Sequence, residues 1–413
     1  LFHGWRIVGV AALAQGVSVG STFYAYGAFL KPLAAEFGAS RLAVTLGLTL
    51  LTLVQAAAAP VVGRALDRRS PRALMIAGVV VQAVGLVALS RVTAFWQAAL
   101  VFVTAISLGS TLFGPLATAT VVAKWFVRQR GRALGITALG AAIGGGIFPL
   151  LATALIERLG WRGALAAMGS GLLLMIVPLA GVLVRRPEDI GSTPDGLPVP
   201  DGASPELVDE TSTTSTTSAL LRDRDFWAIT IAIGCAFCPI GVLLAHLVPY
   251  ATDLGISPGR AAVVMSSYAF ASGVGRVLFG TLADRMDKRL VCWIAFGCLG
   301  LAWSSLLGRP SFGALVATGV AAGVAMGGIV PLWGALAGAT FGRASFGRVM
   351  GLMNLLMIPF SISGAPVAAY LFDRTGSYQL AFASFLSFFV LAAIAIAFLR
   401  IPSFEPGAAS DAV

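Results

Sequence analysis

Residues 63–72 read GRALDRRSPR and residues 280–289 read GTLADRMDKR, two versions of one charged turn placed 217 positions apart. The same offset carries Pro32, Glu36, Gly38 and Ser40 onto Pro249, Asp253, Gly255 and Ser257. Beyond the turns it becomes 216, and Pro115, Gly131, Arg132 and Gly135 meet Pro331, Gly347, Arg348 and Gly351. Glu157, Arg158 and Gly160 likewise meet Asp373, Arg374 and Gly376. This many agreements in one register mark an internal duplication.

What is duplicated is apolar. Hydrophobic residues make up 58% of the 413 and charged residues 11%, with a mean hydropathy of +0.90, values no ordinary water-soluble domain shows. Apolar runs of roughly 17–25 residues, each long enough to cross a bilayer, number twelve. The sequence therefore predicts an all-α integral membrane protein with twelve transmembrane helices in two pseudo-symmetric six-helix bundles. The bundles are placed at 1–186 and 223–402, with a flexible linker at 187–222 and a tail at 403–413. The linker is rich in Pro, Gly, Ser and Thr and has too little apolar content to bury a core.

Charge sets the orientation. Of the 28 Lys and Arg residues, 19 fall on the side of the N-terminus and 8 on the other, which by the positive-inside rule makes both termini and the linker cytoplasmic. The net charge of +10 is thus read as membrane topology rather than as a nucleic-acid surface. The first apolar run is long enough to span, so no cleavable signal is expected. The opening on Leu1 rather than Met points to a trimmed start.

The remaining basic residue, Arg276, lies inside the run SSYAFASGVGRVLFGTLADR at 266–285. At about 1.5 Å per residue it sits roughly 12 Å from the helix end marked by Asp284, near the middle of a ~30 Å hydrocarbon core. A guanidinium there is expensive and too short to snorkel fully to water. The acidic residues all fall in loops or at helix ends, so the partner of this charge is expected to arrive from outside, as a small organic anion. Scaffold residues should recur in both copies, whereas residues serving one asymmetric substrate need not. Asp67 and Asp284, Arg68 and Arg285, and Arg132 and Arg348 recur and are read as gating residues. Arg276 falls opposite Ala59 and His246 opposite Phe29, and both break the symmetry. For His246 two readings stay open: a helix-end histidine that orders the PYATD turn, or a protonatable coupling group that titrates near neutral pH.

Other chemistry is sparse. Cys235 and Cys238 lie in an apolar helix with no further ligands nearby, so neither a metal nor a cofactor is expected. No Gly-Lys dipeptide occurs, which rules out a Walker A loop and direct use of ATP. No nucleophile–base arrangement stands out, and the chain is not read as an enzyme. Gly140 and Gly145 in the fifth run, and Gly319, Gly323 and Gly327 in the tenth, are read as packing faces.

The turns at 63–72 and 280–289, with HGWRIV at 3–8, KWFVRQRGRALGI at 124–136, LGWRGA at 159–164, HLVPYATDLGIS at 246–257 and GRVLFG at 275–280, carry a resemblance. Over nearly its whole length the chain resembles a major facilitator superfamily transporter, and within it the bacterial monocarboxylate porter and oxalate–formate exchanger group. Both turns depart from that signature at its second glycine, where Ser70 and Asp287 stand. The resemblance implies a bacterial cytoplasmic membrane, a monomer, and alternating access by two rocking halves. It also implies that helices 1, 4, 5, 7, 8, 10 and 11 line the substrate site. On those helices the polar or aromatic residues near the middle are Tyr24, Tyr26, Ser110, Thr111, Phe113, Trp333 and Asn354, with Leu139 as an apolar contact. For each of them packing and substrate contact both stay open. The lysine that animal monocarboxylate porters carry in helix 1 is here Tyr24, and their aspartate four residues before the helix-8 arginine is Ser272. The helix-11 lysine of the oxalate exchangers is missing from 351–370. One fixed charge suits a monocarboxylate, moved with a proton or against a counter-anion; drug efflux on the same fold is the alternative.

Overall fold

Residues 2–126, 129–184, 187–191, 193 and 217–400 are described by a computed structural model, apart from the side chains of Asp67, Arg130, Glu188, Asp284 and residues 342–347. The middle of the linker and the whole tail at 403–413 lie outside the described residues. The two ends of the segment assigned as linker are helical, at Pro187–Ile190 and Thr217–Arg222. The second is anchored by Leu220, which is buried.

Every described regular element is helical. We number the crossings α1 (His3–Phe37), α2 (Arg41–Arg68), α3 (Pro71–Leu89), α4 (Phe95–Trp125), α5 (132–159) and α6 (161–182). The second set is α7 (Arg224–Asp253), α8 (Pro258–Arg285), α9 (Lys288–Leu307), α10 (Phe312–Phe341), α11 (Arg348–Thr375) and α12 (Gln379–Ala397). Eleven described helices are long and apolar enough to cross a membrane, and one of them, Arg132–Val182, holds two crossings broken at Gly160. Twelve crossings follow. Gly160 takes φ 67° and ψ 170°, a conformation open essentially to glycine alone, so α5 and α6 meet without a loop. Its counterpart Gly376, at φ 69° and ψ 9°, closes α11 as an ordinary left-handed cap.

The helix ends follow from local chemistry. Ser40 and Ser311 accept from the amides of Ala43 and Ala314. Ser70 and Asp287, which replace the signature's second glycine, accept from the amides of Ala73 and Arg289 and so cap α3 and α9. Within α4, Gly114 is extended and Pro115 restarts the helix. The matching Pro331 lies inside an uninterrupted helix instead. Two wide π-turns, Gly20–Tyr24 in α1 and Phe102–Ile106 in α4, interrupt the regular ladder.

The chain divides into two compact units, which do not follow the sequence repeat. One comprises Leu1–Ala203 with Leu244–Ala269, the other Ser204–Leu243 with Phe270–Val413. In the first, α1 and α5 touch backbone to backbone. A Cβ on Gly140 would stand 1.9 Å from the Ala12 carbonyl oxygen, and one on Gly144 would stand 1.9 Å from that of Gly16. In the second, a Cβ on Gly364 of α11 would stand 2.1 Å from the Cys238 carbonyl oxygen of α7. The first and fifth crossings of each repeat thus approach through glycine, as close packing in a bilayer requires.

Candidate functional site

In the second unit α8 lies against α10 over the helix turn that leads into Arg276. A Cβ on Gly275 would stand 1.9 Å from the Val324 carbonyl oxygen, and one on Gly327 would stand 2.0 Å from that of Ser272. The backbone is therefore clamped next to Arg276, whose side chain is half-buried. Ser272 is buried one turn earlier. Trp333 is buried, donates from its indole Nε1 to Met353 Sδ at 3.3 Å and meets Phe237 edge-on. Asn354 is exposed on the residue after Met353.

In the first unit Tyr24 ends the π-turn of α1, half-buried, with its ring against Gly145 of α5, where Ala269 also closes in. Leu139 is half-buried on α5. Thr111 directs its hydroxyl to the Ser107 carbonyl oxygen at 2.7 Å, and Phe113 is wholly buried in the core of the unit. Tyr26 turns toward α2 and donates to the Val44 carbonyl oxygen. His246 is fully buried and engaged with its surroundings. Among the gating candidates, Arg68, Arg132, Arg285 and Arg348 are exposed, with the Arg132 guanidinium 5.4 Å from the Trp5 ring centroid. The side chains of Asp67 and Asp284 lie outside the described residues.

An ion-pair cluster that sequence reasoning missed sits at the ends of α1, α2 and α7. Asp253 takes Lys31 Nζ at 2.7 Å, and Arg41 Nη1 and Nη2 at 2.7 and 3.1 Å. Its repeat partner Glu36 makes a different pair, accepting from Arg162 at 2.6 Å. Arg162 also donates to the Val92 carbonyl oxygen and lies over the Trp161 ring. The available signal was asymmetry: Arg41 and Lys31 fall opposite Pro258 and Val248. Asp253→Asn should loosen this tie by about 1–2 kcal/mol, because the pairs are partly exposed and only one is bidentate. A cysteine at Thr252 should then react several-fold faster with an impermeant thiol reagent; an unchanged rate would show that the cluster holds nothing closed.

The Major Facilitator Superfamily model matches residues 11–251 and 231–412. Mouse monocarboxylate transporter 12 is 30% identical over 303 residues, covering 68% of this chain and 62% of that protein. The chain spans about three fifths of the length of the mouse and rat transporters of that name, 62% and 58%. Bovine monocarboxylate transporter 13 is 27% identical, covering 92% of this chain and 85% of that protein. An agnestins efflux protein of Paecilomyces divaricatus is 26% identical, covering 73% of this chain and 65% of that protein. The inward-facing, unoccupied crystal structure of a bacterial homologue of the human lysosomal transporter Spinster shares the fold, with a TM-score of 0.70 at 16% identity over 96% of this chain and 95% of that one. With twelve crossings from a six-helix duplication and a family match running through both copies, this chain belongs to the major facilitator superfamily of membrane transporters.

Proposed function

We propose that the chain is a secondary active transporter of a small organic anion, a monocarboxylate, working by alternating access with proton coupling. The observation that carries the reading is Arg276, a half-buried guanidinium within an otherwise apolar crossing. Its planar fork matches a carboxylate, and such charge-assisted pairs are among the strongest single contacts a small anion can make. Tyr24, Leu139, Trp333 and Asn354 are the further residues that this reading assigns to the substrate. Thr111 and Phe113 join it through shape rather than hydrogen bonds, since the Thr111 hydroxyl is already committed. Arg68, Arg132, Arg285 and Arg348, with Asp67 and Asp284, are the gate residues. The protein acts as a monomer in a bacterial cytoplasmic membrane, with both termini cytoplasmic.

The proton is assigned to His246, the fully buried imidazole of α7. Similarity to monocarboxylate transporters 12 and 13 supports the substrate class. Similarity to an agnestins efflux protein favours a second reading, drug efflux on the same fold. Proteoliposomes given labelled mono- and dicarboxylates, with and without a pH gradient, separate these readings. Saturable, gradient-driven uptake of monocarboxylates is expected, and His246→Gln should remove the gradient dependence. Uptake indifferent to the gradient but dependent on an internal anion would replace coupling by exchange. No carboxylate uptake at all would leave the export reading.

A further inference from the structure

The first unit holds an apolar chamber of about 280 Å³, walled by α1, α2, α3, α4 and α6; of the residues the sequence offered for the substrate site, Tyr26 alone lines it. Its lining residues lie at one level: Ala43 to Leu50 at the start of α2, Leu86 and Leu89 at the end of α3, Phe95 to Ile106 at the start of α4. These ends all belong to the membrane leaflet opposite the N-terminus. The wall changes character along its length. Leu46 and Leu50 are 40% and 44% exposed, whereas Phe29, Ile106 and Leu165 are buried. The chamber thus opens to the surface of the first unit through apolar side chains of a membrane-crossing helix and runs inward from there.

Both π-turns build it. Ser21 and Thr22 come from the wide turn of α1, Phe102 and Ile106 from that of α4, and such turns recur at functional sites. The few polar atoms present are committed within the protein. Gln82 Nε2 donates to Ser21 Oγ at 3.1 Å and Thr22 Oγ1 at 3.0 Å, and Tyr26 donates to Val44. A hydrocarbon surface of this kind does not hold water, and left empty its lining loses the dispersion contacts of a packed core. Nothing here would recognise a headgroup or a polar solute. We propose that the chamber binds one acyl chain of a bilayer phospholipid, which enters between Leu46 and Leu50 and packs against the π-turn of α1.

The test uses the full chain in bilayers containing a phospholipid with a photoreactive diazirine near the middle of one acyl chain. After illumination, peptide mass spectrometry should place adducts on chamber residues such as Leu50 and Phe102 several-fold more often than on Val390 and Leu391, exposed side chains of α12. Ala99→Phe fills the chamber from its α4 wall and should abolish the chamber adducts while leaving those on α12. Gly47→Val does the same from α2 if the first variant does not fold. Chamber labelling no more frequent than on α12, or unchanged by a filling side chain that folds, overturns the proposal. So does labelling by a photoreactive free fatty acid where the phospholipid gives none.

Discussion

Arg276→Ala is expected to abolish saturable monocarboxylate uptake while leaving the protein folded. Truncating one partner of a buried hydrogen-bonded charge pair costs about 2–5 kcal/mol, roughly thirty- to several-thousand-fold in affinity. Folding should survive because the contact that seats α8 on α10 is made by Gly275 and Ser272, not by the guanidinium. Arg276→Lys should recover little, since an ammonium keeps the charge but loses the planar fork. Substrate binding by calorimetry and uptake in proteoliposomes read the two variants together. Near-normal uptake by Arg276→Ala, in protein of normal thermal stability, would remove Arg276 from the substrate site.

The second large effect is on folding itself. Gly144→Leu should leave no folded protein, because even its Cβ would stand 1.9 Å from the Gly16 carbonyl oxygen, and backbone cannot step aside as a side chain can. The loss should exceed about 4 kcal/mol, in the range reserved for overpacked or broken cores. Gly9 sits on the same α1 but exposed, with nothing within 4 Å of an added Cβ. Gly9→Ala should therefore be neutral or stabilising by up to about 1 kcal/mol. Size-exclusion profiles and melting temperatures in detergent check both. A monodisperse Gly144→Leu protein would mean that α1 and α5 separate at little cost.

These two residues also mark what could be read from sequence. The crossings were legible because each is a long apolar run, and the duplication because charged turns such as Gly63–Arg72 tolerate little change in kind. Arg276 was legible because a charge inside such a run stands out against its surroundings. Helix faces were not. In a helix apolar all round, no periodicity separates a cavity wall from a core contact, so the sequence left Thr111 and Phe113 open between the two; it did not show that one bonds the carbonyl a turn earlier or that the other is fully buried. The π-turns were hidden for a related reason: Gly20–Tyr24 and Phe102–Ile106 contain no breaker, and packing against neighbouring helices fixes them. The Asp253 cluster joins residues more than 200 positions apart, a pairing no local pattern records.

Gly160 bears on how the protein is made. With α5 and α6 joined through one residue, neither can settle across the membrane while the other waits outside it. Glu157, Arg158 and Arg162 flank the joint and, with the N-terminus cytoplasmic as proposed, cross with it. The two segments should therefore leave the insertion machinery as a preformed helical hairpin, sharing the work of carrying three charged side chains through. A side chain at Gly160 would strain that hairpin at birth, so the defect should appear as lost yield during synthesis rather than as altered transport in the molecules that survive.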